Sequence, residues 1–391
     1  MPGLKALHII TGLGVGGAEQ QLRLLLRHLP AECDVATLTN PGPVAASLRE
    51  DGVRVIHLGM SGNRDLSVLP RLVRLIRSGR YDLVHTHLYR ACVYGRIAAR
   101  LAGVRAVVAT EHSLGGTQLE GRALTAGVRA LYLASERLGH ATVAVSPTVA
   151  DRLRRWGVPE PRIEIVPNGI DVARFRFDPV SREHTRSRLG LPQDAYVVGG
   201  IGRLTAGKRF GVLIGALTRL PRDYRLLLVG GGPEENVLRR TAERAGVTDR
   251  VLFTGERPYD AGGTRGLDLP SLTSAMDALA SPSPEEAFGL AVVEGLAAGL
   301  PVLYASCPAV EDLPPHLAAG TRRVRGGADT FARALTETRA LTEAGRSRPP
   351  SRPVSAAARH YCITRTAARL MDVYAAAVSR SSPSPLEVAL S

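Results

Sequence analysis

Lysine is nearly missing from this 391-residue chain: of its 50 basic residues only Lys5 and Lys208 are lysine, and the rest are arginine. That bias, together with 41 glycines and 26 prolines, is the mark of a GC-rich genome. The formal charge of +14 is therefore discounted as a functional signal. No arginine cluster is interleaved with aromatics on one element, which argues against a nucleic-acid partner. Peripheral contact with an anionic membrane stays open. Aromatic residues make up only 4%, so Leu, Val, Ile and Ala have to fill the interior. The four cysteines, Cys33, Cys92, Cys307 and Cys362, form no CxxC pair and no metal-ligand spacing. They suit a reducing, cytoplasmic compartment. No stretch reaches 18 apolar residues without a charge, so no membrane-spanning helix is expected. The apolar run 7–10 is too short for a signal peptide.

What is present is a rhythm. Short apolar runs at 6–11, 34–38, 53–58, 83–85, 104–110, 141–145 and 163–166 read as strands. Amphipathic segments at 19–29, 44–51 and 66–78 read as helices between them. Residues 168–194 break this pattern with Gly, Pro and charges and read as a linker. A second series follows, with strands at 196–201, 225–229, 251–253, 278–280 and 302–304 and helices at 208–220, 233–245, 290–298 and 330–343. The fold class is α/β, with two Rossmann-like doubly wound domains, 1–175 and 176–355. A last amphipathic helix is expected over 356–380. Residues 258–270 read as an exposed loop, 345–353 as a Pro- and Arg-rich connector, and 381–391 as a disordered tail.

Three motifs carry chemistry. Gly12–Gly17 (GLGVGG) lies between a strand and a helix, where glycines let the backbone approach a phosphate and the helix N-terminus supplies N–H donors. A tight structural turn is the alternative. A dinucleotide reading needs an acid at the end of the next strand, where Leu38, Thr39 and Asn40 stand instead. The second motif is Gly202-Arg203-Leu204 followed by Lys208. Two cations after a strand would neutralise a diphosphate, and a lysine kept in an arginine-rich chain points to a required compact charge. The third is Glu286-Ala-Phe-Gly-Leu-Ala-Val-Val-Glu294. Its carboxylates are eight apart, so Glu286 falls in the loop before a helix and Glu294 within it. The amides of Phe288, Gly289 and Leu290 fall at the helix N-terminus. A carboxylate inside such a helix suits a ribose diol. His85 and His87 alternate at a strand end. Zinc would need further ligands that the sequence does not place, and a packed strand-end histidine is the alternative to a functional one. His112 ends a strand on the side where α/β sheets carry ligands. The other histidines read as surface or packing residues.

In this order the chain resembles the group 1 glycosyltransferases, family 4 of the retaining class, which have the GT-B fold. The matching pieces are Gly-Gly-Ala-Glu at 16–19, Asp-Leu-Val-His-Thr-His at 82–87, Glu-His at 111–112, Val-Pro-Asn-Gly-Ile-Asp at 166–171, Gly-Arg-Leu at 202–204 with Lys208, Val-Gly-Gly-Gly-Pro-Glu at 229–234, and Glu286 to Glu294 with Gly-Leu-Pro-Val at 299–302. The resemblance implies two domains facing across a cleft, with the last helix crossing back to the first. It implies that Gly16 and Gly17 lie beneath a donor diphosphate held by Arg203 and Lys208. Glu294 would bind the donor ribose, Glu286 would contact hydroxyls of the transferred sugar, and Phe288–Leu290 would touch sugar and phosphate. His112 would hydrogen-bond the donor sugar near the reacting carbon, and His87 is a candidate on the acceptor side. One departure stands out: after the strand at 302–304 the family has glycines before an acid, and this chain has Ala-Ser-Cys-Pro-Ala-Val-Glu311.

The activity implied is retaining transfer of a hexose-type sugar from a nucleoside-diphosphate sugar, UDP-sugar favoured, without metal or other cofactor. Arg203, Lys208 and a helix N-terminus would replace a metal ion as the sink for the leaving charge. The acceptor hydroxyl belongs to a small polyol or aminocyclitol natural product, or to a cell-envelope glycan or lipid. The alternatives are an epimerase or hydrolase of the same fold, and a non-catalytic sugar-nucleotide binder.

Overall fold

A computed structural model of the chain describes residues 3–115, 118–119, 122–259, 267–344 and 352–381. Of the segments expected to be irregular, 260–266, 345–351 and 382–391 lie outside the described residues. The chain falls into two compact units, Met1–Gly169 with Ile363–Ser391, and Ile170–Cys362.

The first unit runs β1 (Lys5–Ile10), α1 (Gly17–Leu26), β2 (Glu32–Thr37), α2 (Gly42–Glu50), β3 (Arg54–His57), α3 (Val68–Gly79), β4 (Leu83–His87), α4 (Tyr89–Ala102), β5 (Val107–Glu111), the short pair β6 (Gln118–Leu119) and β7 (Arg122–Ala123), α5 (Ala126–Glu136), β8 (Ala141–Ala144), α6 (Pro147–Trp156) and β9 (Ile163–Ile165). Its seven-stranded sheet has the order β3-β2-β1-β4-β5-β8-β9, and every neighbouring pair is parallel. A parallel sheet is covered on both faces, which is why β4 and β5 are buried at every position. The helices show the complementary pattern. In α3 the residues Val68, Leu72 and Ile76 recur every fourth position and are buried, while Arg71, Arg74 and Arg77 stay out. Each buried aliphatic side chain there contributes roughly 1.5–3 kcal/mol. Ser146 caps α6 by accepting from the Val149 N–H at 3.1 Å, Pro147 opens it, and left-handed Gly157 ends it.

The second unit runs α7 (Pro179–Leu189), β10 (Tyr196–Ile201), α8 (Gly211–Leu217), β11 (Tyr224–Val229), α9 (Glu235–Arg244), β12 (Val251–Phe253), α10 (Leu269–Ala275), β13 (Ala278–Ser281), α11 (Leu290–Ala297), β14 (Val302–Tyr304), α12 (Pro308–Glu311), β15 (Thr321–Arg323), α13 (Ala328–Ala344) and α14 (Ala356–His360). Its sheet order is β12-β11-β10-β13-β14-β15, again all parallel. Tyr196, Phe210, Leu226, Leu228 and Phe331 belong to one continuous core.

Three sequence expectations are corrected. Residues 168–194 are not a free linker: α7 lies within them and is bound into the second unit by a buried charge cluster. Asp277, just before β13, accepts from Arg182 at 2.7 Å, Arg186 at 2.6 Å, Arg352 at 3.2 Å and the Val197 N–H at 2.8 Å. Burial raises the Asp277 pKa, but the three arginines and the amide outweigh it and hold the carboxyl below its usual range. The helix expected over 208–220 is broken, because Lys208 ends a 3-10 turn, Arg209 is left-handed and α8 starts at Gly211. The last helix is also two elements. The Ile170 N–H bonds the Tyr361 carbonyl at 2.8 Å, so α14 belongs to the second unit. Only α15 (Ile363–Ser381) belongs to the first, where Ile363, Leu370, Val373 and Tyr374 enter the core. The unit boundaries thus fall at 169/170 and 362/363 rather than at 175 and 355.

Candidate functional site

In each sheet the strand order reverses once, between β1 and β4 and between β10 and β13. Loops leaving neighbouring strands there diverge to opposite faces and open a crevice at the carboxyl ends, where α/β sheets bind ligands. Most of the predicted site residues lie on loops or helices that follow the four flanking strands.

In the second unit the loop after β10 carries Gly202, Arg203 and Lys208. It rests on the glycine run after β11: the Leu204 N–H bonds the Gly231 carbonyl at 2.8 Å, and the Glu234 N–H bonds the Leu204 carbonyl at 3.0 Å. Gly230 has φ +139°, and a Cβ there would strike the Gly202 carbonyl, so only glycine lets the two backbones meet. This stacking fixes the loop that presents the cations. Lys208 Nζ meets Glu286 Oε1 at 2.5 Å, joining the loop after β10 to the loop after β13. The Arg203 side chain is exposed, with no ion-pair partner among the described residues. Ser283 braces the second loop, its hydroxyl donating to the Glu285 carbonyl at 2.9 Å.

Gly289 caps α11 with φ +102°. Phe288 is buried and meets the Tyr361 ring edge-on, with centroids 5.0 Å apart. The first turn of α11, from Leu290, leaves N–H groups without intrahelical acceptors. The segment that departs from the family's glycines folds here: the Cys307 N–H donates to Glu311 at 3.0 Å, and Cys307 Sγ contacts the Phe288 carbonyl at 3.4 Å. A Cβ on Gly289 would collide with that sulfur. Burial, followed by Glu286, raises the Cys307 pKa far above its usual value, which makes it a packing residue rather than a nucleophile.

Glu294, one turn into α11, is 5% exposed. Burial lifts its pKa to about 8, and a hydrogen bond from Tyr259 opposes that shift. Tyr259 is held in turn by Phe175, edge-on at 5.3 Å, and by the Leu269 N–H to Pro258 carbonyl bond at 3.1 Å. Its own pKa is pushed well above normal by burial first and by Glu294 next.

The first unit is different. Its glycine loop after β1 is tied to the loop after β2: the Leu13 N–H bonds the Asn40 carbonyl at 3.0 Å, and the Val44 N–H bonds the Leu13 carbonyl at 3.2 Å. Gly16 caps α1 in extended backbone and Gly17 is its first residue. Asn40, where a dinucleotide site needs an acid, accepts from the Gly42 N–H at 2.9 Å. Beside this loop lies a cluster of imidazoles. His8 on β1 is register partner of His85 on β4, and His87 lies two residues on, on the same face. All three are fully buried. His8 Nδ1 is 3.1 Å from His87 Nε2, and His87 Nδ1 is 3.1 Å from His112 Nε2. His85 lies between two hydroxyls, Tyr374 at 2.6 Å and Thr110 at 2.7 Å. Burial lowers the pKa of His8 to about 3 and of His112 to about 4, and lowers those of His85 and His87 well below normal. Burial thus favours the neutral form of all four rings.

The sequence placed no third metal ligand, but the structure does: nitrogens of His8, His85 and His87 lie within 4.8 Å of one another. Both nitrogens of His85 are already engaged by Tyr374 and Thr110, so His85 meets His8 and His87 by ring contact only, with centroids 5.1 and 4.1 Å away. The fold brings Lys208 together with Glu286, and His87 together with His112. Sequence reasoning missed His8, Thr110, Tyr374 and Tyr259. The register of His8 against His85 follows only from strand order, and no motif marks Tyr259. Among the described residues no helix is long and apolar enough to cross a membrane.

Comparison with known proteins agrees with this architecture. Residues 15–174 match Glycosyltransferase Family 4, and residues 181–341 match Glycosyl transferases group 1. The chain is 32% identical over 330 residues to a D-inositol 3-phosphate glycosyltransferase of Salinispora tropica, covering 77% of this chain and 65% of that one. It is 30% identical over 287 residues to a 2-deoxystreptamine glucosyltransferase of Streptomyces kanamyceticus, covering 69% and 72%. HepE of Anabaena, solved with UDP and glucose, superimposes with a TM-score of 0.81 at 21% identity, over 95% of this chain and all of that one.

Proposed function

This chain belongs to the group 1 glycosyltransferases and has their GT-B fold, and from that premise we propose that it transfers a hexose from UDP-sugar, with retention, to a hydroxyl of a small cyclitol or aminocyclitol. The observation that carries the reading is the Lys208–Glu286 pair, which bridges the loops after the two strands flanking the switch. A diphosphate brings at least two negative charges to Lys208 and takes the ammonium from Glu286. That carboxylate then serves the hydroxyls of the sugar and faces the positive charge developing at the anomeric carbon. Arg203, exposed, grips the phosphates bidentately. The amides at Phe288–Leu290 add donors, and ionised Glu294 accepts the ribose diol. Fixed cations and amides stabilise the departing diphosphate without a metal ion. The acceptor hydroxyl attacks from the face the phosphate leaves, and the phosphate oxygen takes its proton.

Gly16 and Gly17 are proposed as phosphate-facing backbone, His112 as a contact to the donor sugar and His87 as an acceptor-side residue. The cyclitol class is supported by the relatives, whose names carry inositol phosphate and 2-deoxystreptamine. The UDP donor is supported by the UDP bound to HepE.

The test is a screen of nucleotide sugars against inositol phosphate, 2-deoxystreptamine and lipid-linked acceptors, read by mass spectrometry, with product anomers assigned by NMR and EDTA present in a parallel series. The expected outcome is an EDTA-insensitive product with the donor's anomeric configuration. An inverted product, or donor turnover without any acceptor, overturns the reading.

A further inference from the structure

Helices α3, α4 and α5 of the first unit form one layer, since α4 packs against both of the others. That layer is one-sided in charge. Neither α3 nor α4 contains an Asp or Glu, and the acid of α5, Glu136, is 2% exposed and paired with Arg162 at 3.3 Å. Glu111 is buried as well. Among the described residues between Leu66 and Arg137 the one exposed acid is Asp82, which stands at the start of β4 and accepts from the Lys5 N–H at 2.8 Å. On and beside the same helices Arg64, Arg74, Arg77, Arg80, Arg100 and Arg105 are exposed, and none has an ion-pair partner among the described residues. Genome bias accounts for the arginines but not for the missing acids. Elsewhere in this unit acids answer them: Arg23 and Arg27 share Asp51 at 2.7 and 2.6 Å, and Arg154 on α6 meets Asp151 and Glu160. Charges of one sign without counter-charge add up to a directed field.

Each helix of the layer also has an exposed leucine on or beside it: Leu66 before α3 at 67%, Leu101 in α4 at 57% and Leu131 in α5 at 48%. Arg77 donates to the Leu101 carbonyl at 2.7 Å, so a cation stands beside this leucine. The apolar stripe of α3, Val68, Leu72 and Ile76, is taken up by the core, so the helix itself has nothing left to insert. We propose that the α3–α5 face docks on the surface of an anionic bilayer, with its arginines over lipid phosphates and the three leucines in the headgroup layer. A nucleic acid fits this face less well. Tyr94 and Tyr132 are buried and Tyr89 is half-buried, so the layer offers no exposed ring as a stacking platform. A protein partner is gripped by clustered anchors in one patch, and these leucines are spread over three helices. The docking face is independent of which acceptor the enzyme uses, and it stands whether or not the transfer reading does.

The test is flotation of the full chain with phosphatidylcholine vesicles, with and without phosphatidylglycerol, over a series of salt concentrations. Binding is expected with phosphatidylglycerol at low salt, and release as salt rises. No binding at low salt overturns the proposal, and equal binding to pure phosphatidylcholine overturns its electrostatic basis. Each basic side chain near such a surface strengthens binding by a factor of about 5, so Arg74→Ser combined with Arg100→Ser should weaken it roughly 25-fold. Removing the same charge from exposed positions of the second unit, Arg222→Ser with Arg240→Ser, should leave binding as in the wild type. An equal loss in both double variants would show that net charge rather than this face makes the contact. Circular dichroism melts separate a lost contact from a lost fold. Leu101→Trp reads the face with every arginine in place: its added fluorescence is expected to shift to the blue on vesicles that contain phosphatidylglycerol. An unshifted emission from vesicle-bound protein would put another face against the bilayer and overturn the assignment. Tighter binding to single-stranded DNA or polyglutamate than to vesicles, weakened by the same arginine changes, would give the face to an anionic polymer instead.

Discussion

Strands β4 and β13 occupy the same place in their two sheets, each beside the first strand of its unit and across the switch from it, yet they are built from opposite materials. β13 is framed by charge: Asp277 before it is held by three arginines, and Glu286 after it pairs with Lys208. β4 carries His87, hydrogen-bonded to His8 and His112, and His85, hydrogen-bonded to Tyr374 and Thr110. One topology thus supports two chemistries. Fixed charge suits the grip and departure of a diphosphate. Neutral donors suit sugar hydroxyls, which need direction more than field strength.

The sharpest way to break this contrast is to remove charge from the β13 side. Arg186 is fully buried, and its Nη1 and Nε also donate to the Ala195 carbonyl at 2.9 Å and the Ala275 carbonyl at 2.9 Å. Arg186→Ala is expected to lower stability by about 3–5 kcal/mol, read as the urea midpoint by circular dichroism. A loss below 1 kcal/mol would show that Arg182 and Arg352 satisfy Asp277 alone. Next in size, Lys208→Ala should cut transfer roughly 10²-fold, on the scale of losing an electrostatic donor, with its circular dichroism melt close to wild type. A near-normal rate in the purified variant would remove Lys208 from the site.

Smaller effects concern pH, and here the units should respond with opposite sign. Glu294 has a folded pKa near 8 against an ordinary 4.5. Its stabilising contribution is present below 4.5 and lost as pH rises through 8. The ionised form, proposed to receive ribose, grows over the same range. UDP affinity should therefore climb toward pH 8 by calorimetry, and Glu294→Gln should flatten both trends. If Glu294→Gln binds UDP with the wild-type pH profile, the ribose assignment falls. The histidines do the reverse. His8 and His112 have folded pKa values near 3 and 4 against 6.5, so their contribution is present above 6.5 and lost as pH falls through those values. The chain's one tryptophan, Trp156 on α6 of this unit, reports it directly. Its fluorescence unfolding midpoint should fall between pH 6.5 and 4, less steeply in His8→Phe. Midpoints independent of pH in both proteins would mean that the cluster titrates in the ordinary range.

Much of this was legible in residue order. Alternating apolar runs and amphipathic stripes determined the two doubly wound sheets, because strand and helix burial repeat with different periods. Lys208 stood out because every other basic residue but Lys5 is arginine, and the eight-residue interval from Glu286 to Glu294 already separated a loop carboxylate from a helical one. Tertiary structure alone decided the rest. The partner of Lys208 is 78 residues away, Tyr259 meets Glu294 from the end of a different loop, and α7 proved structural because Arg186 reaches Asp277 across 91 positions. His8 looked like any strand histidine until the register set it opposite His85. A sequence fixes which groups are carried and how each short segment is patterned; which groups are desolvated together, and hence which protons and charges they keep, depends on contacts between segments remote in the chain.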